Sequence, residues 1–372
     1  MFDRDKIKKI LILRYRFIGD TVLTIPFIKN VRENFPDAQI DVLVSPNSGE
    51  LLENNSDINN VIYFDNSKFH KYETSLKANT RELTSKWHNS FFGCAKALKK
   101  EKYDLAFVLK RSFSSALLAS LAGIKYRIGF NTELRSFLLT HSVKYDKSLH
   151  KLDNFLNCLE PLDIKAKKYI PEIYLNKKEE LRANGFLVRP DRFKPKVLIH
   201  ATSAHPYKQW PKRYFANLMD SMFEQFEAQF VFTGASIDKE VYEKILNWCK
   251  HKNKFKILDL CGLISIRECY SVYKGLNLAI CVDSGNAHIA AASGVPTQVL
   301  YGPTRPDRWL PVGKSVFPIR LNQLLPCQPC DVKVKCSHLS CMKLLSPEMV
   351  FSKACKLADV TAPGKSLIEG VL

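Results

Sequence analysis

The tightest constraint on this chain is its rhythm: short runs rich in Ile, Val, Leu and Phe alternate with longer amphipathic stretches, in two successive series. In the first, strand-like KKILILRY (8–15) passes through RFIGD into helical TVLTIPFIKNVRENF, which stops before Pro36, and AQIDVLVS follows as a second strand. NVIYFD, a helical stretch ending in AKALKKEKY, the strand LAFVLK, the small-residue helix SSALLASLAG and the strand YRIGF continue the pattern. The second series opens with PKVLIHATSA (195–204). It runs through KRYFANLMDSMFEQF, AQFVFTGA, DKEVYEKILNWCK, KILDLCG, SIRECYSVYKGL, LAICVDSG and NAHIAAAS to TQVLYGPT. Strands alternating with helices predict parallel sheets covered on both faces, so each series reads as a doubly wound α/β domain.

A chain of 372 residues suits two such domains. The linker is expected within residues 145–194, which are rich in Lys, Asp and Pro, giving domains at 1–185 and 186–345. Residues 346–372 remain as a terminal helix, with Ser346 as N-cap and Pro347 at the first helical position, able to pack back on the first domain. Residues 66–90 are polar, basic and dotted with aromatics; a substrate-facing insertion and a solvated irregular loop both fit them.

Hydrophobic residues make up 46% and charged residues 25%, near globular averages, and no stretch approaches the apolar length of a membrane span. ILIL is too short for a signal-peptide core, and Arg14 interrupts it. With eleven cysteines, an odd number, and no secretion signal, reduced thiols and a cytoplasmic location are expected. The net charge of +19 implies a polyanionic partner: nucleic acid, an anionic membrane or a phosphorylated substrate.

Ligands of open parallel sheets bind beyond the carboxyl ends of the strands. ICVDSGNAH is such an end: after Val282, Asp283 to Asn286 cross into a helix whose first amides and dipole suit a diphosphate. Gly285 allows close backbone approach, and His288, four residues after Ser284, faces the same ligand. Taken alone, Asp283 or Ser284 could simply cap the helix and His288 could be structural. Other strand ends repeat the polarity: HATSAHPYKQWP brings Thr202, Ser203 and the mobile cation Lys208, FTGAS brings Gly234 where a nucleoside could lie flat, and LYGPTRPDRW brings Gly302, Pro303 and Thr304. Several polar strand ends facing one crevice make a ligand site the stronger reading. In the first series, Gly19 and Asp20 form the turn after strand one without a GxGxxG fingerprint. Asp20 there is either an N-cap or a base for an acceptor hydroxyl.

Three segments together resemble glycosyltransferase family 9, the ADP-heptose:lipopolysaccharide heptosyltransferases: ILILRYRFIGDTVLTIPFIKNVRENFPDAQIDVLV, LIHATSAHPYKQWP and VDSGNAHIAAASGVPTQVLYGPTRPDRW. The resemblance implies a GT-B fold, two Rossmann-like domains facing a central cleft, with the nucleotide-sugar on the C-terminal domain and the acceptor on the N-terminal one. It implies Asp20 as general base, Thr202, Ser203 and Lys208 as the phosphate loop, and Asp283, Ser284, Gly285 and His288 as the donor motif. The chain departs from the family at Asn286 and Ala287, where Pro-Met or Thr-Met is frequent, and in a longer loop before Lys208; both bear on donor preference. The expected reaction is an inverting transfer of heptose from ADP-heptose to a lipopolysaccharide core, without a cofactor or metal. Another nucleotide-sugar donor, and an epimerase, are the alternatives within the fold. A basic nucleic-acid-binding protein is the remote one, for which no recognition motif is present.

The implied acceptor is a phosphorylated glycolipid at the inner-membrane surface, which would account for the basic charge, and Lys110, Arg111 and Arg127 are the expected acceptor contacts. The series Cys327, Cys330, Cys336 and Cys341 could supply four thiolates to zinc or iron. Its second pair is spaced by four residues, and a packed loop of free thiols or a local disulfide is the favoured reading.

Overall fold

A computed structural model describes residues 4–14, 16–64, 90–186, 194–330 and 336–361. The segment 66–89, expected to be an insertion or loop, lies outside the described residues. The chain forms two compact units, Met1–Tyr174 and Leu175–Leu372.

The strands of the first unit are β1 (Lys9–Leu13), β2 (Gln39–Val44), β3 (Asn60–Tyr63), β4 (Leu105–Val108), β5 (Tyr126–Phe130) and β6 (His141–Val143). Its helices are α1 (Ile18–Asn34), α2 (Pro46–Gly49), α3 (Phe91–Glu101), α4 (Phe113–Leu121) and α5 (Lys151–Leu156). In the second unit the strands are β7 (Lys196–His200), β8 (Gln229–Phe232), β9 (Ile257–Asp259), β10 (Leu278–Val282), β11 (Thr297–Leu300) and β12 (Val316–Ile319). The helices between and around them are α6 (Lys177–Phe186), α7 (Lys212–Phe226), α8 (Lys239–Leu246), α9 (Ile266–Lys274), α10 (Gly285–Ser293), α11 (Pro306–Trp309), α12 (Ser340–Lys343) and α13 (Pro347–Thr361).

Both sheets are six-stranded and parallel, in the orders β3-β2-β1-β4-β5-β6 and β12-β11-β10-β7-β8-β9. Numbered within its own unit, the second order is the first read backwards, so the two sheets share one topology. Strand order reverses between β1 and β4, and again between β7 and β10, where Cys281 pairs with His200. These strands are apolar along nearly their whole length because helices cover both faces; every residue of β4, β7 and β10 is buried. Over the second sheet α7 buries Phe215, Leu218, Met219 and Met222. Trp210, just before α7, packs edge-on against Phe215 at 4.8 Å and donates its indole N–H to Leu345 O at 2.8 Å.

The expected α/β class and doubly wound sheets are found. The stretch read as linker is more structured than its composition suggested, because it supplies α5 to the first unit and α6 to the second. The units therefore divide between Tyr174 and Leu175 rather than at 185. The physical cause is the fully buried Arg267 of α9, whose guanidinium pairs with Glu179 of α6, while Arg182 reaches Glu268 at 3.5 Å. Ser346 does cap α13, accepting from Met349 N at 3.4 Å. That helix packs on α7, and its Val350 and Ala354 belong to the core of the second unit.

A buried cation that loses its carboxylate is strongly destabilising. Glu179→Ala should lower unfolding free energy by about 3 kcal/mol. Denaturant titration in a Trp87→Phe background, followed by the fluorescence of Trp210, Trp248 and Trp309 of the second unit, checks this; an unchanged midpoint would contradict it.

Candidate active site

In the second unit, the predicted residues converge where strand order reverses. Beyond β7 lie Thr202, Ser203 and Lys208; beyond β10 lie Asp283, Ser284 and the start of α10. The Asp283 carboxylate, buried, accepts from Lys208 Nζ at 2.7 Å and from Thr304 Oγ1 at 2.6 Å. Ser203 Oγ reaches Asp283 O at 3.4 Å, tying the two strand ends together. Asp283 therefore anchors a cation instead of capping the helix. Ser284 occupies the N-cap position of α10 in an extended conformation, but its side chain makes no capping bond. Its hydroxyl is buried without a hydrogen-bond partner among the described residues. A helix start with unspent amides, an unspent hydroxyl and a lysine held close by is a ready anion site. His288, buried, sits on the second turn of α10.

The third strand end adds a carboxylate that the sequence reading missed. At Gly234 a Cβ would stand 2.4 Å from Asp238 Oδ2, so only glycine lets that carboxylate fold onto the turn, where it accepts from Ala235 N at 2.8 Å. Burial raises the Asp238 pKa above the usual aspartate value, while hydrogen bonds from Ala235 and Thr202 oppose the shift.

Beneath this layer, a buried network fixes the first turn of α10. Asn286 Oδ1 accepts from Tyr273 OH at 2.8 Å, and Asn286 Nδ2 lies 2.9 Å from His200 Nδ1 and 3.2 Å from Thr233 Oγ1. Tyr273 OH and Thr233 Oγ1 are 2.5 Å apart, and His200 Nδ1 is 3.2 Å from Thr233 O. Asn286, one of the two positions that depart from the family pattern, is thus the hub connecting β7, β8 and α9 to the anion-facing helix.

In the first unit, Asp20 is the third residue of α1, not its N-cap; Phe17 holds that position with φ of 60°. The Asp20 carboxylate is instead paired with the guanidinium of Arg14, which is itself buried and lies 5.5 Å from the Phe155 ring centroid. Arg14 was visible in the sequence only as a charge interrupting an apolar run. Lys110 and Arg111 follow β4, next to β1 across the reversal, and Arg111 stacks over Tyr145 at 4.3 Å. Arg127 does not join them. It lies near the amino end of β5, where Nε donates to Leu138 O at 2.7 Å and Nη1 to Ile124 O at 2.5 Å. That guanidinium is spent on backbone carbonyls, and the expected acceptor role is withdrawn.

Cys327, Cys330, Cys336 and Cys341 are free thiols. Burial pushes the Cys341 thiol up to about 11, with the three neighbouring cysteines adding to the shift. Cys330 N donates to Pro303 O at 3.1 Å, and a Cβ on Gly302 would stand 3.0 Å from Cys341 Sγ, so the loop packs under the Gly302–Pro303 turn. Among the described residues no three His, Cys, Asp or Glu side chains are arranged to hold a metal ion.

A model of glycosyltransferase family 9 (heptosyltransferase) matches residues 92–339. The chain belongs to glycosyltransferase family 9. It is similar to lipooligosaccharide heptosyltransferase 2 of Campylobacter jejuni, 27% identical over 361 residues that cover 93% of this chain and 97% of the relative. Lipopolysaccharide heptosyltransferase 2 of Salmonella typhimurium is 24% identical, over 84% and 88% of the two chains. Among solved structures, a family 9 glycosyl transferase from Veillonella parvula superposes with a TM-score of 0.78 at 21% identity, covering 96% of this chain and 98% of that one. The ADP-heptose lipopolysaccharide heptosyltransferase II of Escherichia coli gives 0.74 at 21% identity, covering 94% and 98%. The fold is shared along nearly the whole chain, and as a family 9 member this protein is a glycosyltransferase.

The buried His200 supports the site in its neutral form: burial lowers its pKa to about 4, against the ordinary 6.5. Between those values the unfolded chain binds the extra proton, so its contribution is full above about pH 6.5 and is lost as pH falls towards 4. The loss amounts to roughly 3 kcal/mol over the window. Denaturant unfolding at pH 7 and pH 4.5 should show stability falling with acid, and less so in His200→Gln; equal pH slopes in both proteins would contradict this.

Proposed function

We propose that this glycosyltransferase transfers heptose, with inversion, from ADP-heptose to a phosphorylated lipopolysaccharide core or related glycolipid, and does so without a metal ion. The observation that carries the reading is the α10 start, where the Ser284 hydroxyl is buried without a partner among the described residues and Lys208 is anchored on the adjacent Asp283. The names of the relatives give the sugar and the acceptor class.

In this reading Asp20 takes the proton of the acceptor hydroxyl as its oxygen attacks the anomeric carbon of the donor. The bond from that carbon to the diphosphate oxygen breaks, and ADP leaves carrying the new negative charge. Lys208 and the α10 amides stabilise that charge where it develops, the role a divalent cation would otherwise fill. Arg14 orients the Asp20 carboxylate. Lys110 and Arg111 lie at the neighbouring strand end, suited to phosphate or carboxylate groups of the acceptor. The overall charge of +19 suits an enzyme working at the anionic inner face of a membrane.

Asp20→Ala should lower turnover by ~10²- to 10⁴-fold, measured with ADP-heptose and a lipopolysaccharide-core acceptor, while ADP affinity stays nearly constant. A parallel loss of ADP affinity would make Asp20 structural.

A further inference from the structure

Along the edge of the first sheet where β4, β5 and β6 end, three large apolar side chains stand in solvent. Leu134 is 91% exposed, Phe137 74% and Phe113 39%. Phe113 and Phe137 lie with ring centroids 6.1 Å apart. The exposure is built into the backbone. Glu133 and Leu134 both hold φ of 53°, a left-handed conformation that an L side chain rarely adopts. The next residue, Arg135, is completely buried and locks the loop from below, donating to Phe130 O at 2.8 Å, Ser112 O at 2.9 Å and Ser115 Oγ at 3.1 Å. From above, Glu133 Oε2 accepts from Phe113 N at 2.8 Å, fastening the loop to the start of α4. A strained, doubly anchored loop that presents leucine to water is a feature of interaction surfaces.

The surrounding charge identifies the kind of partner. Of the Lys and Arg in residues 110–151, Lys125 and Arg127 lie at the amino end of β5 and Arg135 and Lys151 are buried, which leaves Lys110, Arg111, Lys144 and Lys147 at this edge beside two acidic residues, Glu133 and Asp146. Both acids are occupied locally: Glu133 as above, and Asp146 by Ser148, whose N and Oγ donate to it at 2.7 and 2.6 Å. Arg111 follows β4, and Lys144 and Lys147, both exposed, follow β6, on the same sheet edge as the apolar triad. Apolar anchors beside a cluster of cations match the boundary between headgroups and acyl chains of an anionic bilayer.

We propose that Phe113, Leu134 and Phe137, with Arg111, Lys144 and Lys147, form a docking surface for an anionic lipid bilayer. This rests on the reading of the acceptor as a membrane glycolipid, and it adds the face that meets the membrane. Docking would hold the β4 end, with Lys110 and Arg111, near the headgroups that carry the acceptor.

The test is co-sedimentation of the full chain, without donor, with phosphatidylcholine vesicles containing about one third phosphatidylglycerol, and with phosphatidylcholine alone. The wild type should bind the anionic vesicles and bind the neutral ones far less. Leu134→Ser/Phe137→Ser should lower the anionic partition coefficient roughly tenfold or more. Leu134→Asn, which suits the left-handed backbone, should lower it in the same direction with unfolding unchanged. Turnover of both variants on a deacylated, water-soluble acceptor should match the wild type. Wild-type partition by the variants, or equal binding of both vesicle types, would overturn the proposal. So would an equal loss of turnover on the soluble acceptor, which would place the triad in the acceptor pocket. Because partition is read without donor, a failed transfer reaction would not be mistaken for failed docking.

Discussion

The gap between the carboxyl ends of β7 and β10 is the constraint on which the second unit depends. Adjacent parallel strands whose onward connections run to opposite sides cannot close over their own ends, so the loops after them must part and leave a crevice. Asp283 holds that crevice open in a defined shape. One carboxylate gathers Lys208 from the β7 loop and Thr304 from the β11 loop, and so sets a cation beside a helix start whose amides remain unspent. If Ser284 capped the helix, or if Asp283 were a neutral residue, the same fold would lack either the donors or the positioned charge. The buried Tyr273–Asn286–His200 layer then keeps the helix start from shifting against β7.

The first unit uses the same topology for different chemistry. Its reversal lies between β1 and β4, and there the chain places an acid on a buried guanidinium instead of a lysine on an acid. The guanidinium orients the Asp20 carboxylate, whereas the second unit's arrangement suits the binding of an anion. In the proposed reaction the first unit would supply the base and the second the leaving-group stabiliser.

Much of this was legible in the sequence for definite physical reasons. Fully buried parallel strands require unbroken apolar runs, and these located β1, β4, β7 and β10, the segments read as strands running two to four residues past the observed carboxyl ends. The polar residues at the strand ends of the second unit stood out because such groups are conspicuous against apolar runs. What escaped was decided by tertiary pairing. No local pattern says that Phe17, with a positive φ, starts α1 so that Asp20 faces Arg14. Nor does any local pattern say that Arg127 turns to backbone carbonyls while Arg111 stacks on Tyr145. Residues 145–194 looked like linker because α5 is short and α6, KKEELRANGF, is mostly polar, with Ala183 its buried residue; the ion pairs of Arg267 and Arg182 join it to α9. Asp238 passed unnoticed because its meaning depends on Gly234, four residues before it, having no side chain.

In the proposed reaction the β7–β10 crevice binds the diphosphate of an adenine nucleotide through Lys208 and the α10 helix start without a metal. Calorimetric titration with ADP, UDP and GDP in the presence of EDTA addresses it most directly. Binding should be saturable and ADP-selective, persist in EDTA and weaken about tenfold or more in Lys208→Ala. Binding abolished by EDTA, or unchanged in Lys208→Ala, would contradict it.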